Sequence, residues 1–149
     1  MHKLSCYDDY IIYGGEDLIT LLIVHQKKDI PDYYLGAVKE YTKRLGRYCN
    51  LSITAVENIS EIPPIVSSFY TFRVHVKGKA LDSVSFSETL QSLSLSGHSK
   101  IAFVINLKFD TDDTLSLSSL SLSDEFSVVS MLEQVYRAFR IWYGEPYHK

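Results

Sequence analysis

The sequence predicts an α/β domain with a mainly parallel β-sheet and helices on both faces of the sheet. Two observations indicate this class: apolar runs of β-forming residues, and segments of helical periodicity that alternate with those runs. A helix between two strands returns the chain to the starting edge, which makes the strands parallel. The 149 residues suit one domain. We expect residues 18–149 to form it, after an irregular N-terminal extension over residues 1–17.

The first half of the domain predicts two strands joined by a helix. The run DLITLLIVHQ is almost continuously apolar, as in a strand buried on both faces. In the next segment, KKDIPDYYLGAVKEYTKRLGRYC, Pro31 suits a first helical turn and Gly46 a helix end. NLSITAVEN predicts the second strand. The helix carries an apolar face at Leu35, Val38, Thr42 and Leu45, and a basic face at Lys39, Lys43, Arg44 and Arg47, which is either simply solvated or contacts RNA.

The middle of the chain predicts a loop, two further strands and a short helix. SEIPPIVSSF has adjacent prolines and predicts the loop. TFRVHVKGK predicts a third strand that ends at Gly78, and KIAFVINLK predicts a fourth. Between them, SFSETLQSLSLSGH predicts a helix capped by Ser85, with Glu88 three residues later as in a capping box.

The last third predicts an acidic loop, a leucine-serine segment and a long helix. The acids of FDTDDT lack the spacing of a calcium loop, so we expect a solvated loop without a metal. TLSLSSLSLS alternates leucine and serine in two registers, which fits a strand or a buried loop. Asp124 and Glu125 favour a helix start, and Gly144 favours its end. The helix has an apolar seam that needs a partner surface, at Val128, Leu132, Val135, Phe139 and Trp142.

The charge, the cysteine spacing and the motifs of the chain exclude most classes of function. The net charge of −3 gives no general attraction to nucleic acid. Cys6 and Cys49 match no metal or redox spacing, and no apolar run is long enough to span a membrane, so we expect a cytoplasmic protein with reduced thiols. No nucleotide loop, nucleophile elbow or zinc motif occurs. His25, His75 and His98 are isolated in the sequence and predict structural or surface roles.

The C-terminal tail is the remaining candidate for chemistry. Tyr147 can stack on a base or donate a hydrogen bond, His148 can move a proton near neutral pH, and Lys149 adds charge. The surrounding segment, LEQVYRAFRIWYGEPYHK, resembles the C-terminal signature of the RlmH family. These are SPOUT-class enzymes that methylate a pseudouridine of large-subunit ribosomal RNA with S-adenosylmethionine. The matching positions are Glu133, Tyr136, Arg137, Ala138, Phe139, Pro146, Tyr147, His148 and Lys149.

Weaker similarities extend the resemblance over roughly residues 18–149. YYLGAVKEYTKRLGRYCNLSITAVEN is similar to the family's first helix and second strand, and VHVKGKALDSVSFSETL to its glycine-lysine segment. LSLSSLSL is similar to the family's cofactor loop. The resemblance implies a SPOUT-like fold with a C-terminal trefoil knot and a homodimer that acts on ribosomal RNA.

The resemblance also implies roles for individual residues. Tyr147 would contact the nucleobase, His148 would handle a proton or position the substrate, and Lys149 would contact a phosphate. S-adenosylmethionine would lie near the knot, with no metal and no membrane involved. The implied cofactor-binding residues are Val74, Gly78, Leu117, Ser118, Ser119, Leu120, Ser121 and Leu122.

One departure from the family bears on the cofactor. The family follows its fourth strand with a glycine-rich loop, whereas this chain has VINLKFDTDDT, with Asn106 and Leu107 in place of the glycine pair. We expect their side chains to occupy space that the cofactor needs. Three hypotheses therefore stay open: an active RlmH-like methyltransferase, a degenerate paralogue that serves as a dimeric RNA- or protein-binding module, and a product without function.

Overall fold

The computed structural model describes residues 18–147, so residues 1–17, His148 and Lys149 lie outside the described part. The predicted extension and Cys6 fall among the residues that are not described. Within residues 18–147, strands and helices alternate as expected. The elements are β1 (Ile19–Gln26), α1 (Asp32–Leu45), β2 (Cys49–Val56), a 3₁₀ turn (Ile59–Glu61), α2 (Ile62–Val66), β3 (Tyr70–Val74), α3 (Ser83–Leu95), β4 (Lys100–Ile105), β5 (Asp113–Leu115) and α4 (Asp124–Trp142).

The strands form one parallel sheet in the order β2-β1-β4-β3-β5. The inner strand β1 pairs with β2 and β4 and is buried along most of its length, which confirms the prediction from its continuous apolar run. Because every strand runs the same way, the carboxyl ends of β3, β4 and β5 meet at one edge of the sheet.

Two apolar clusters cover the two faces of the sheet. The larger contains side chains of the three long helices α1, α3 and α4, packed on Leu21, Phe72 and Phe103. The smaller joins the opposite face, at Leu22 and Val104, to the short helix α2. Helices therefore lie on both faces, and the α/β class with a parallel sheet is confirmed. No helix within residues 18–147 is both long enough and apolar enough to cross a membrane.

Three local predictions need correction. SEIPPIVSSF is not a plain loop, because its prolines lie in the first turn of α2, where their missing N–H groups are not needed. Helix α3 begins before Ser85, and the side chain of Asp82 caps it by accepting a hydrogen bond from the Ser85 amide at 2.7 Å. Strand β3 ends at Val74, because the chain turns at residues 76–77 and the Gly78 amide donates back to His75.

The acidic side chains before β5 accept hydrogen bonds that hold the loop to the edge of the sheet. The carboxylate of Asp112 accepts hydrogen bonds from the amide of Thr71 at 2.8 Å and from its hydroxyl at 3.1 Å. The Asp113 carboxylate accepts from the amide of Thr114. These acids bind the sheet edge, and among residues 18–147 no three acids, histidines or cysteines lie close enough to hold a metal ion.

The loop that follows β3 is bonded to the end of β5. The amide of His75 donates to the Leu115 carbonyl at 3.0 Å, and the amide of Ser116 donates to the Lys79 carbonyl at 2.9 Å. Gly78 lies against the backbone of Leu115 so closely that an added Cβ would be 2.5 Å from the Leu115 oxygen. The absence of a side chain at Gly78 therefore allows β5 to lie directly against this loop.

Candidate cofactor cleft and C-terminal tail

A narrow cleft opens at the edge where the carboxyl ends of β3, β4 and β5 meet. One wall is the end of β3 and its loop, and the other is the leucine-serine loop of residues 117–122. Ligands of open parallel sheets characteristically bind at this edge. Its lining residues are Val74, His75, Val76, Asn106, Leu117, Ser118, Leu120, Leu122 and Ser127.

The cleft brings together five of the eight residues that the sequence predicted for cofactor binding. Val74 lies in one wall, and Leu117, Ser118, Leu120 and Leu122 in the other. Two predicted residues, Ser119 and Ser121, are exposed on the same loop and do not line the cleft, and Gly78 packs against β5 instead.

Asn106 occupies the position where a glycine was expected from the family. Its backbone has φ of 55°, in the left-handed region that asparagine tolerates better than other side-chain-bearing residues. Its side-chain amide donates to the Asp124 carboxylate at 2.8 Å and to the Leu122 carbonyl at 3.4 Å. Asn106 thus ties the end of β4 to the start of α4.

The expectation that Leu107 fills the cofactor space is wrong. The side chain of Leu107 packs against the apolar cluster on the opposite face of the sheet and does not line the cleft. The physical reason is that the turn at Asn106 directs the next residue to the other face, where apolar surface is available. Asn106 does line the cleft, as expected.

His75 is the residue of this site that sequence reasoning missed. It follows β3 directly and lines the cleft, whereas His25 is buried in β1 and His98 is exposed. Burial, followed by the charges of Arg73 and Lys77, lowers the pKa of the His75 imidazole, so the ring is mostly uncharged at neutral pH. The signal that could have found it is its place within the glycine-lysine segment, three residues before Gly78.

The cleft suits S-adenosylmethionine in chemical character but is too small in this conformation. Apolar side chains at Val74, Leu117 and Leu122 can bury an aromatic base, while backbone groups of the loop can bind polar atoms. Its cavity volume is about 10 Å³, whereas ligand pockets usually hold at least roughly 300 Å³. The loop must therefore move outward, and its Leu120 side chain is already 73% exposed.

The tail is held against α4 as far as the structure describes it. The phenol of Tyr147 donates a hydrogen bond to the Glu133 carboxylate at 3.0 Å. The guanidinium of Arg137 lies 4.9 Å from the centre of the Tyr147 ring and forms an ion pair with Glu133 at 2.6 Å. Tyr136 contacts the same ring edge-on at 5.0 Å. The sequence matched these α4 residues to one family signature, and the structure brings them into contact with Tyr147.

The environment of Tyr147 keeps its hydroxyl protonated. Burial, hydrogen bonding to Tyr41 and the Glu133 carboxylate together raise the pKa of the phenol above its ordinary value. Tyr147 is therefore a hydrogen-bond donor at neutral pH and is not a proton acceptor. No position is assigned to His148 or Lys149, which continue the chain from this residue.

A groove of about 300 Å³ leads from the cleft toward the tail. Leu117 lines both the cleft and the groove, and Glu133, the partner of Tyr147, lies in the groove wall. Phe126 and Tyr41 form its sides, and Phe126 is 46% exposed. The candidate cofactor site and the candidate catalytic tail therefore adjoin one continuous surface.

Comparison with known proteins decides the family. Residues 18–148 match the family described as predicted SPOUT methyltransferase. The ribosomal RNA large subunit methyltransferase H of Clostridium botulinum (strain Okra / Type B1) is 36% identical, with 88% of this chain and 99% of that protein covered. The chain belongs to the RlmH family of SPOUT methyltransferases.

Other relatives agree with this family assignment. The protein of the same name from Clostridium kluyveri (strain ATCC 8527 / DSM 555 / NBRC 12016 / NCIMB 10680 / K1) is 33% identical, again with 88% of this chain and 99% of the relative covered. Ribosomal RNA large subunit methyltransferase H 1 of Thermoanaerobacter sp. (strain X514) is 35% identical over 80% of this chain and 92% of the relative. The match begins at residue 18, the first residue of the predicted RlmH domain.

Proposed function

We propose that this RlmH-family protein methylates large-subunit ribosomal RNA, with pseudouridine as the acceptor and S-adenosylmethionine as the methyl donor. The observation that carries the proposal is the cleft at the carboxyl edge of the sheet, where predicted cofactor residues from two separate segments converge. The sulfonium of the cofactor supplies an activated methyl group, and alignment with the acceptor nitrogen is the main requirement for transfer.

The chain contributes binding and orientation on the cofactor side. Val74, Leu117 and Leu122 bury apolar surface of the ligand, and the loop of residues 117–122 excludes water when it closes. His75, uncharged at neutral pH, places no positive charge beside a cationic ligand. Asn106 holds the cleft floor to α4 through its bond to Asp124.

The tail contributes on the RNA side. Tyr147, fixed to Glu133, donates a hydrogen bond or stacks on the nucleobase. His148 accepts the proton that leaves the acceptor nitrogen, or positions that group, and Lys149 binds a phosphate. The hypothesis of a degenerate paralogue is less favoured, because one of its supports was a leucine side chain in the cofactor space, and Leu107 packs elsewhere.

Homodimerisation is part of the proposal. The groove between α1 and α4 is lined partly by apolar side chains, and one of its aromatic residues, Phe126, is 46% exposed. A second copy would cover this surface and extend the RNA-binding surface beyond one tail. Leu117 of the loop of residues 117–122 lines the groove, so this end of the loop would lie at the interface. Light scattering of the full chain tests this, and a monomeric mass would contradict it. Since its substrate is ribosomal, we place the protein in the cytoplasm.

The trefoil knot is also proposed, on the basis of how β5 passes the loop after β3. The loop forms hydrogen bonds with Leu115 and Ser116 from two sides, through His75 and Lys79. Gly78 allows the strand to lie directly against the loop, which is compatible with threading. An experimental structure in which residues 113–123 lie outside this loop would contradict the knot.

Calorimetric titration of S-adenosylmethionine into the full chain is the first test, with S-adenosylhomocysteine alongside. We expect micromolar binding of both ligands and transfer of a labelled methyl group to large ribosomal subunits. Absence of heat at millimolar ligand would contradict the cofactor proposal. Binding of S-adenosylmethionine without methylation of ribosomal RNA would contradict the proposal that ribosomal RNA is the substrate.

A matched pair of exposed leucines tests the cleft. Leu120 lines it, whereas Leu95 is 89% exposed at the end of α3 and lines neither the cleft nor the groove. Leu120→Ala should weaken binding by about ten- to a hundredfold, since burial of a leucine is worth roughly 1.5–3 kcal/mol. Leu95→Ala should leave affinity unchanged, and equal effects of the two changes would contradict the assignment.

A further inference from the structure

The carboxylate of Glu145 joins three parts of the fold just before the tail. It accepts a short hydrogen bond from the hydroxyl of Tyr48, which lies at the junction of α1 and β2. It also forms ion pairs with Arg140 of α4 at 3.3 Å and with Arg47 at 3.4 Å. Glu145 and Tyr48 are 97 residues apart in the sequence, so this contact exists only in the folded chain.

Arg140 connects the same cluster to the tail backbone. One guanidinium nitrogen donates to the Tyr48 oxygen at 3.2 Å, and the other donates to the Pro146 carbonyl at 3.0 Å. Tyr48 itself is almost completely buried, with its ring stacked on Phe139 at 5.3 Å. Glu145 is thus held on a rigid base, and the peptide group directly before Tyr147 is held by the same cluster.

We propose that Glu145, acting through Tyr48 and Arg140, is a positioning residue that sets where the tail leaves the domain. The Glu145 cluster (Tyr48, Arg140 and Glu145) fixes the chain at Pro146, one residue before Tyr147 and two before His148. With the chain fixed at Pro146, the hydrogen bond from the Tyr147 hydroxyl to Glu133 fixes the direction of the Tyr147 side chain. This inference rests on the proposed role of the tail in methyl transfer, but the fixation itself is independent of catalysis.

The charge arrangement explains why a carboxylate suits this position. Arg47 and Arg140 both approach Glu145, so a neutral side chain would leave two guanidinium groups without their anion. The Arg140 side chain is only 18% exposed, which makes the loss of its partner costly. Glu145→Gln keeps the shape and the acceptor oxygen but removes the charge, and Tyr48→Phe keeps the stacked ring but removes the hydroxyl.

The experiment combines a motional measurement with kinetics on the full chain. Backbone order parameters of Tyr147 from ¹⁵N relaxation should be near 0.85 in the wild type, and should fall below about 0.6 in Glu145→Gln and Tyr48→Phe. Methylation kcat should fall by on the order of ten- to a hundredfold in both, with unchanged affinity for S-adenosylmethionine. Glu57→Gln is the control, because it removes an equal charge from an exposed ion pair with Lys27, beyond the end of β2 that is opposite Tyr48.

Each outcome decides the inference. An unchanged order parameter in both variants overturns it, as does a mobile tail with kcat equal to that of Glu57→Gln. A loss of S-adenosylmethionine affinity equal to the loss of kcat also overturns it, since that indicates general disruption. If the wild type methylates no RNA, the proposed function fails, and the order parameters alone then decide whether the Glu145 cluster fixes the tail.

Discussion

Replacing Gly78 by alanine should destabilise the protein strongly, although only one methyl group is added. The new Cβ would lie 2.5 Å from the oxygen, 2.6 Å from the carbonyl carbon and 2.9 Å from the nitrogen of Leu115. All three are backbone atoms of a strand that is paired with β3, so no side-chain rotation can relieve the contact. Either β5 or the loop after β3 must move.

The expected magnitude follows from what such a movement breaks. Overpacking of this kind costs roughly 1–3 kcal/mol. Displacement of the loop also weakens the bonds from His75 to Leu115 and from Ser116 to Lys79, each worth about 1 kcal/mol. We therefore expect a loss of about 2–4 kcal/mol in the free energy of unfolding. For a chain of this size that lowers Tm by roughly 5–15 °C.

Gly36→Ala provides the matched control. Gly36 lies within α1, and an added Cβ there meets nothing within 4 Å. Alanine is favoured over glycine in helices by roughly 0.5–1 kcal/mol, so this variant should be more stable than the wild type. Urea unfolding of both variants, followed by circular dichroism, measures the difference. A Gly78→Ala protein as stable as Gly36→Ala would refute the close packing of the loop on β5.

Three further predictions concern single positions. Asn106→Ala should be about 1–2 kcal/mol less stable than Asn106→Gly in urea unfolding, because both lose the side-chain bonds but only alanine is strained at a φ of 55°; equal stabilities would contradict the strain. Ser123→Ala should cost about 1 kcal/mol in the same assay, because the Ser123 side chain caps α4 by accepting from the Phe126 amide; an unchanged midpoint would show that the cap is not needed. The hydrogen bond from Tyr48 and the charges of Arg140 and Arg47 lower the pKa of Glu145. The stabilisation that the Glu145 carboxylate gives the folded state is therefore complete above the ordinary glutamate pKa, and it is lost as the pH falls through the lowered pKa. Tail order parameters should therefore fall in the wild type at a pH below the ordinary glutamate pKa but show no such acid step in Glu145→Gln. A step in both proteins would assign it to another group.

The sequence predicted the main elements because their signals are local. The apolar run of β1 and the three- to four-residue spacing in α4 depend only on neighbouring residues, and the structure confirms both elements. The tail signature is also contiguous, so it identified the family before any contact was known. Errors occurred where two local signals compete. The paired prolines before β3 suit both a loop and a first helical turn, and burial of Ile62 and Val66 selects the helix.

The candidate cleft could be predicted only in part. Val74 and the leucine-serine loop were found through the family resemblance, and the structure brings them together. His75 was missed, because a lone histidine has no pattern until the strand order places it beside residues 117–122. The direction of Leu107 was mistaken, since one residue with positive φ redirects the side chain that follows.

By itself, the sequence determined the class of the fold, the order of its elements, the family, and a tail able to bind a base and move a proton. Only the tertiary structure decided the strand order, the passage of β5 beside Gly78, the cleft between two distant loops, and the anchoring of Glu145 by Tyr48. The physical reason is the range of the interactions. Hydrophobic periodicity and helix capping act over a few residues, whereas a cleft or an ion-pair cluster depends on close packing between segments that are far apart in the chain.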